Sequence, residues 1–340
     1  MHLQHNIPLS NLTTIKLGGK AQHFVVATNT EELAEALEYA RSENLGTYIL
    51  GGGSNTIFPD NELKALVIKI DIKGISYKEV NNHIEVNVCA GENWDDFVKD
   101  TVERNYAGVE CLSGIPGSVG ATPIQNVGAY GQEVRESILE VHAIDVASGQ
   151  AVSFDNAECD FGYRMSRFKG TDKGKYIVTD VVYRLEKGGK PKMAYPELER
   201  EAGESATLSD VRETVLKLRK RKSMVVDPGD PNSQSCGSFF INPTLTAQEL
   251  GALQERVGGD LPHFPAGDLF KVSAGWLIEH AGWEKGYVHD GVGLSTNHAL
   301  ALTNRGGGTA KKLLALAEQI EKSVYDTYGI RLAREPVVVE

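Results

Sequence analysis

Two glycine-rich segments constrain the fold of this 340-residue chain more than any other feature. GGGSN, Gly51 to Asn55, follows directly on the apolar run TYIL, and SGIPGSVG, Ser113 to Gly120, lies further along the chain. Glycine numbers 36 of 340, above the usual ~7%, and its clustering marks special backbone geometry or a close ligand approach. Successive backbone N–H groups with no side chain in the way form an anion-binding concavity, to which Ser54, Asn55 and Ser118 add donors. Either loop alone reads equally well as a tight turn. Together they suit one pyrophosphate. The usual nucleotide signatures, G-x-G-x-x-G and the P-loop, are absent.

The length predicts two or three domains. Hydrophobic residues at 41% and charged residues at 24% fit an ordinary globular chain. A net charge of −11 disfavours nucleic acid and anionic lipid as partners. The four cysteines, Cys89, Cys111, Cys159 and Cys236, lie far apart without zinc-like spacing, so neither a disulfide framework nor a metal site is expected. MHLQHNIPLS lacks a basic and apolar leader pattern, and no run approaches the ~18 apolar residues of a membrane span. A cytoplasmic protein is expected.

Periodicity predicts a strand at FVVA, a helix with Leu33, Leu37 and Ala40 inward behind the cap cluster Thr28 to Thr30, and a strand at TYIL. Strands follow at LVIKI and around Ile84, Val86 and Val88, then a helix with Trp94, Phe97, Val98 and Val102 on one face. ILEVHAIDVA, AVSF and KYIVTDVVYRL read as antiparallel strands. Val211, Val215 and Leu218 mark a helix ending in the basic run Arg219 to Lys222, which complements the helix dipole. DPGDPNSQSCG reads as a loop. Thr246 and Glu249 form a capping-box pattern, a short helix carries Trp276, a long one runs from Thr309 to about Tyr328, and a strand is expected near Leu332.

The segments NIPLSNLTTIKLGG, YILGGGSN, GVECLSGIPGSVGATPIQNVGAYGQE, FGYRMSRFK, AYPEL, CGSFFINP, SAGWLIE and LAREP, in that order, closely resemble the UDP-N-acetylenolpyruvoylglucosamine reductases over nearly the whole chain. The resemblance implies an α+β fold, with a two-part, PCMH-type FAD-binding region (1–70 and 71–205) followed by an α+β substrate-binding domain (206–340). It implies non-covalent FAD, NADPH as co-substrate, and reduction of the enolpyruvyl nucleotide sugar for peptidoglycan synthesis by a monomer. No nucleic acid or membrane partner is expected.

Residue by residue, the resemblance places the FAD at Gly51, Gly52, Gly53, Ser54, Asn55, Ile115, Gly117, Ser118 and Gly120, with Gln125 and Asn126 offering amide groups to a heterocycle edge. Arg164 in FGYR corresponds to the arginine beside the enolpyruvyl group, where a guanidinium can neutralise a carboxylate bidentately. Ser238 in GSFF corresponds to the proton donor, and Glu335 in LAREP to the third catalytic position. Isolated, these three would read as a surface ion pair, a loop hydroxyl and a solvated charge. Tyr195, Lys222 and Asn242 correspond to groups that bind the diphosphate or hold the site. The tyrosine marks the longer class of the family. His280, also assigned to the substrate, stands where many members have Gln, and the segment from Lys222 to Ser238 is longer than in some relatives. A flavin-dependent oxidase on the same scaffold and a non-catalytic nucleotide-sugar or flavin sensor are the alternative readings.

Overall fold

The computed structural model describes all 340 residues and divides into two compact units. The first comprises Met1–Ile7, Ala21–Gly53 and Lys64–Arg221. Its four-stranded sheet runs in the order Gln4–Pro8, Lys20–Ala27, Leu63–Ile70, Gly46–Leu50, the last two strands being parallel. Helix α1, Thr30–Ser42, starts where Asn29 Oδ1 accepts from Glu32 N at 2.8 Å, and it buries Leu33, Ala36, Leu37 and Ala40 at helical spacing.

A larger antiparallel sheet follows, in the order Ala151–Asp155, Ile138–Asp145, Tyr176–Lys187, His83–Cys89, Ile75–Val80. Alternation puts Ile84, Val86 and Val88 with Val181, Tyr183 and Leu185 in one core, against which α2, Trp94–Glu103, buries Trp94, Phe97 and Val98. Helices α3, Pro196–Ala202, and α4, Leu208–Arg221, close a smaller cluster through Leu198, Val211, Val215 and Leu218. The basic run at the end of α4 is not a uniform solvated face. Arg219 is buried at 8% exposure, while Arg221 pairs with Glu201.

On the other face of the large sheet, His142 lies directly opposite Asp180, its Nδ1 2.5 Å from Asp180 Oδ1 and its Nε2 3.3 Å from Glu140. Partial burial opposes protonation, but the two carboxylates outweigh it and hold the imidazole above its usual 6.5. A raised folded-state value gives a contribution fully present below 6.5 and lost as pH rises through the raised value. The Tm deficit of His142→Gln is therefore expected to be larger at acidic than at alkaline pH. A deficit independent of pH would deny the pair this role.

The second unit comprises Pro8–Lys20, Ser54–Leu63 and Lys222–Glu340. Its core surrounds α5, Ala247–Val257, α6, Ala274–His280, and α7, Ala310–Tyr328. The capping box of α5 is present, with Thr246 Oγ1 accepting from Glu249 N and Glu249 Oε2 accepting from Thr246 N. Helix α7 buries Leu313, Leu316, Ala317, Ile320 and Val324 and ends on Gly329 in the left-handed conformation. Asp60 accepts from the first backbone N–H groups of α7, Ala310 at 2.7 Å and Lys311 at 2.9 Å, so a carboxylate meets the positive end of the helix dipole. Asn304 Nδ2 donates to the carbonyls of Ile15 and Lys16. These bonds tie both early segments into this unit. The strand expected near Leu332 is two short pieces, Ala333–Arg334 and Val337–Val338, interrupted at Pro336, which has no N–H to give.

Candidate active site

In the first unit the two glycine loops meet. A Cβ on Gly52 would lie 2.6 Å from Gly117 Cα and 2.9 Å from Gly117 C, and one on Gly51 would lie 2.5 Å from Ser118 Oγ. At position 52, where the contacts are all backbone, only glycine permits this approach. The second loop is held from behind, with Val119 N donating to Glu92 O, Gly120 N to Ala90 O and Trp94 N to Gly117 O, all within 2.9 to 3.1 Å. Its entry is fixed by Asp95, which accepts from Gly114 N at 2.6 Å and from the Arg212 fork at 2.6 and 2.9 Å. Burial raises the Asp95 carboxyl, but Arg212 and the Gly114 N–H outweigh it and keep the group below its usual range.

The segment after the second loop organises Arg164. Asn126 is fully buried, its Nδ2 donating to Glu133 Oε2 and to Gly162 O, both at 2.9 Å, and its Oδ1 accepting from Arg135 N. Both amide hydrogens are thus engaged inside the protein, so Asn126 fixes the turn instead of offering a donor edge to a heterocycle. Gln125 beside it is half-buried. Arg164 Nη2 donates to Gly128 O at 2.6 Å, and a Cβ on Gly128 would stand 3.1 Å from Arg164 Nη1. Arg164 itself has φ 54°, a left-handed conformation costly for a side-chain-bearing residue. Tyr195 is the N-cap residue of α3, its ring edge-on to Tyr130 at 5.3 Å and its hydroxyl without a hydrogen bond inside the protein. Tyr130, which sequence reasoning passed over, also has positive φ, and burial pushes its phenol up to about 12. The glycines flanking it in GAYG were its one available signal.

In the second unit, Ser238 and Glu335 are joined through backbone. Phe239 N donates to Leu300 O at 2.7 Å, and Phe239 O accepts from Glu335 N at 2.9 Å. Phe240 pairs antiparallel with Arg334, whose guanidinium forks onto Glu321 at 2.6 and 3.0 Å. Asn55 Nδ2 donates to Glu335 O at 3.3 Å, and Thr56–Ile57 pairs parallel with Val337–Val338. Ser54 opens the same segment of this unit. The Ser238 hydroxyl caps nothing and makes no hydrogen bond within the protein, unlike an ordinary loop serine. Lys222 begins this unit, half-buried.

Asn242 Oδ1 accepts from Ala274 N at 3.0 Å, at the start of α6, leaving its Nδ2 uncommitted. His280 ends α6, exposed and stacked on Trp276 at 3.7 Å, with Nδ1 2.9 Å from Trp276 O. A carbonyl only accepts, so Nδ1 carries a proton and donates to it, which leaves Nε2 as the ring nitrogen not committed to Trp276. No group of acidic, His and Cys residues is arranged to hold a metal, and no helix is long and apolar enough to cross a membrane.

Two family models match the chain: an FAD binding domain over residues 21–155 and the C-terminal domain of UDP-N-acetylenolpyruvoylglucosamine reductase over 230–339. The reductase of that name from Thermobifida fusca is 45% identical, the match covering 98% of this chain and 97% of the relative. The one from Mycobacterium tuberculosis is 39% identical, covering 99% and 95%. The crystal structure of the Thermus caldophilus reductase superposes with a TM-score of 0.67 over 100% of this chain and 98% of that one, at 23% identity, a likeness of fold.

Proposed function

Because this chain belongs to the UDP-N-acetylenolpyruvoylglucosamine reductase family, we propose that it reduces UDP-N-acetylenolpyruvoylglucosamine to UDP-N-acetylmuramate with FAD and NADPH, a step in peptidoglycan precursor synthesis. The observation that carries this reading beyond the name of its relatives is the contact of Gly51 and Gly52 with Gly117 and Ser118. That contact leaves no room for a Cβ at Gly52, and glycine loops of this kind offer the backbone N–H groups that suit a pyrophosphate. The residues fit FAD. Gly51, Gly52, Gly53, Ile115, Gly117, Ser118 and Gly120 would hold it, with Ser54, Asn55 and Gln125 adding polar groups, while Asn126 contributes through the turn it fixes. When bound, FAD supplies the redox chemistry, carrying two electrons from NADPH to the enolpyruvyl double bond.

The chain's own residues then orient and protonate. Arg164, already oriented by Gly128 O, faces the task of neutralising the enolpyruvyl carboxylate, so that charge developing on the adjoining carbon is stabilised. Glu335, fixed at both backbone atoms, attends the same carbon. Ser238 Oγ–H is the proton source for it, its hydrogen not spent on the protein. The Lys222 ammonium, the Tyr195 hydroxyl and the Asn242 Nδ2 are donors for a diphosphate, which has only acceptors to offer. His280, with Nδ1 committed to Trp276 O, has Nε2 left for the substrate. We infer further that the unit with the glycine loops carries the flavin-binding role and the unit from Lys222 onward the substrate-binding one, in a cytoplasmic monomer. Neither the oxidase nor the sensor alternative is favoured by relatives named as reductases.

The purified protein is expected to be yellow, to release its flavin into the supernatant on heat or acid, and to oxidise NADPH beyond one equivalent per flavin only when the enolpyruvyl nucleotide sugar is added. Flavin remaining on the denatured polypeptide, with oxygen consumed in place of the nucleotide sugar, would establish the oxidase alternative.

A further inference from the structure

Eleven non-glycine residues have positive φ, and seven are Asn or Asp, the types that tolerate it. The other four are Lys16, Tyr130, Arg164 and Ser223. Arg164 belongs to the proposed chemistry, and Tyr130 packs on Tyr195. Ser223 directly follows Lys222, at φ 55° and 2% exposure. Strained backbone persists where surrounding bonds over-determine it.

Those bonds come from two directions. Asn297 Nδ2 donates to Ser223 Oγ at 2.8 Å, from a turn in which Asn297 N donates to Ser295 Oγ at 3.1 Å. The Ser223 hydroxyl is also hydrogen-bonded to the Asp230 carboxylate, whose Oδ1 accepts from Asn232 N at 2.9 Å and from Asn232 Nδ2 at 3.0 Å. The two anchors are themselves connected, since Asn232 Oδ1 accepts from Thr296 N at 2.9 Å. A simple chain reversal at this position would be better served by glycine, which takes positive φ without strain. Serine bears the strain of a Cβ there, and what it gains is a hydroxyl that ties one backbone position to both the 230–232 loop and the 295–297 turn.

We propose that Ser223 is a positioning residue for Lys222: its hydroxyl, held by Asn297 and Asp230, fixes the backbone from which the Lys222 ammonium reaches the diphosphate of the nucleotide sugar. This rests on the reading of Lys222 as a diphosphate-binding residue. Ser223, 2% exposed, acts in this proposal through Lys222 and not on the substrate. Its effect is on binding, uniform between ground and transition states, and so on KM more than on kcat.

Glycine separates the positioning role from a structural one, because Ser223→Gly relieves the strain while removing the hydroxyl. The FAD-loaded protein is titrated calorimetrically with UDP, and its steady-state constants are measured with the enolpyruvyl nucleotide sugar. Ser223→Gly is expected to fold with wild-type flavin content and a Tm that changes little, relief of the strain offsetting the lost hydrogen bonds, to bind UDP about tenfold more weakly with KM raised to match, and to keep kcat within about twofold. In a Lys222→Ala background, Ser223→Gly is expected to add nothing, since residues acting through one contact are non-additive. Wild-type UDP affinity in Ser223→Gly overturns the proposal, as does weakened binding accompanied by a fallen Tm, or a full additional loss in the Lys222→Ala background. Unchanged UDP affinity in Lys222→Ala itself would instead overturn the underlying reading of Lys222. Ser223→Ala, which keeps the strain and loses the hydroxyl, should match the Gly variant in binding but not in Tm.

Discussion

Ser238→Ala is expected to leave NADPH-driven bleaching of the bound flavin nearly intact while slowing the substrate-driven return of its colour by about 10² to 10⁴, the usual worth of a positioned general acid. The loop around Ser238 is carried by backbone: Phe239 N bonds Leu300 O, Phe239 O accepts from Glu335 N, and Gly237 takes the left-handed turn at φ 73°. No internal hydrogen bond runs through Ser238 Oγ, so removing it leaves no partner unsatisfied and should barely alter Tm. Electron transfer from NADPH to the flavin needs no proton from this serine, whereas the carbon beside the carboxylate cannot be completed without one. Stopped-flow measurement of each half-reaction decides the matter. Equal slowing of both would mean that Ser238 supports the flavin site, and an unaffected second half-reaction would remove it from the proton-donor role.

Much of this architecture was legible in the sequence because it is set by local periods. The spacing of Leu33, Leu37 and Ala40 gives the buried face of α1, and Ile84, Val86 and Val88 alternate into the core as a half-buried strand must. The Thr246 and Glu249 capping box formed where its pattern stands. What stayed hidden depends on distant partners. The link from Asn55 to Glu335 spans 280 residues, and nothing local in 8–20 or 54–63 announces that these segments join the C-terminal unit. Arg219 was unreadable for a related reason: a basic run at a helix end looks solvated until the packing of Leu216 and Arg219 against Gly114 is known. Composition also misleads at Asn126, because an amide that suits a ligand equally suits a buried turn, and here both hydrogens are spent on Glu133 and Gly162.

The glycine loops give the largest expected effect outside the residues proposed for catalysis. Gly52→Ala places a Cβ 2.6 Å from Gly117 Cα, 2.9 Å from Gly117 C and 3.1 Å from Ser118 N, all backbone atoms that cannot rotate away. The second loop is fastened behind by Glu92, Ala90 and Trp94, so relief requires the two loops to separate. Overpacking of this kind costs about 1–3 kcal/mol, and because it falls on the loops proposed to hold the pyrophosphate, it should weaken FAD binding by about tenfold or more. Gly51→Ala makes a useful contrast. Its Cβ would meet Ser118 Oγ at 2.5 Å, a side-chain atom free to change rotamer, so the loss should be smaller. Gly46→Ala, at the start of the strand leading into the same loop, meets nothing within 4 Å and should bind flavin as the wild type does. Fluorescence titration of the three flavin-stripped variants with FAD, alongside their circular dichroism, orders them directly. Gly52→Ala binding FAD as tightly as Gly46→Ala would mean that the close approach of the two loops is a packing detail with no part in holding the cofactor.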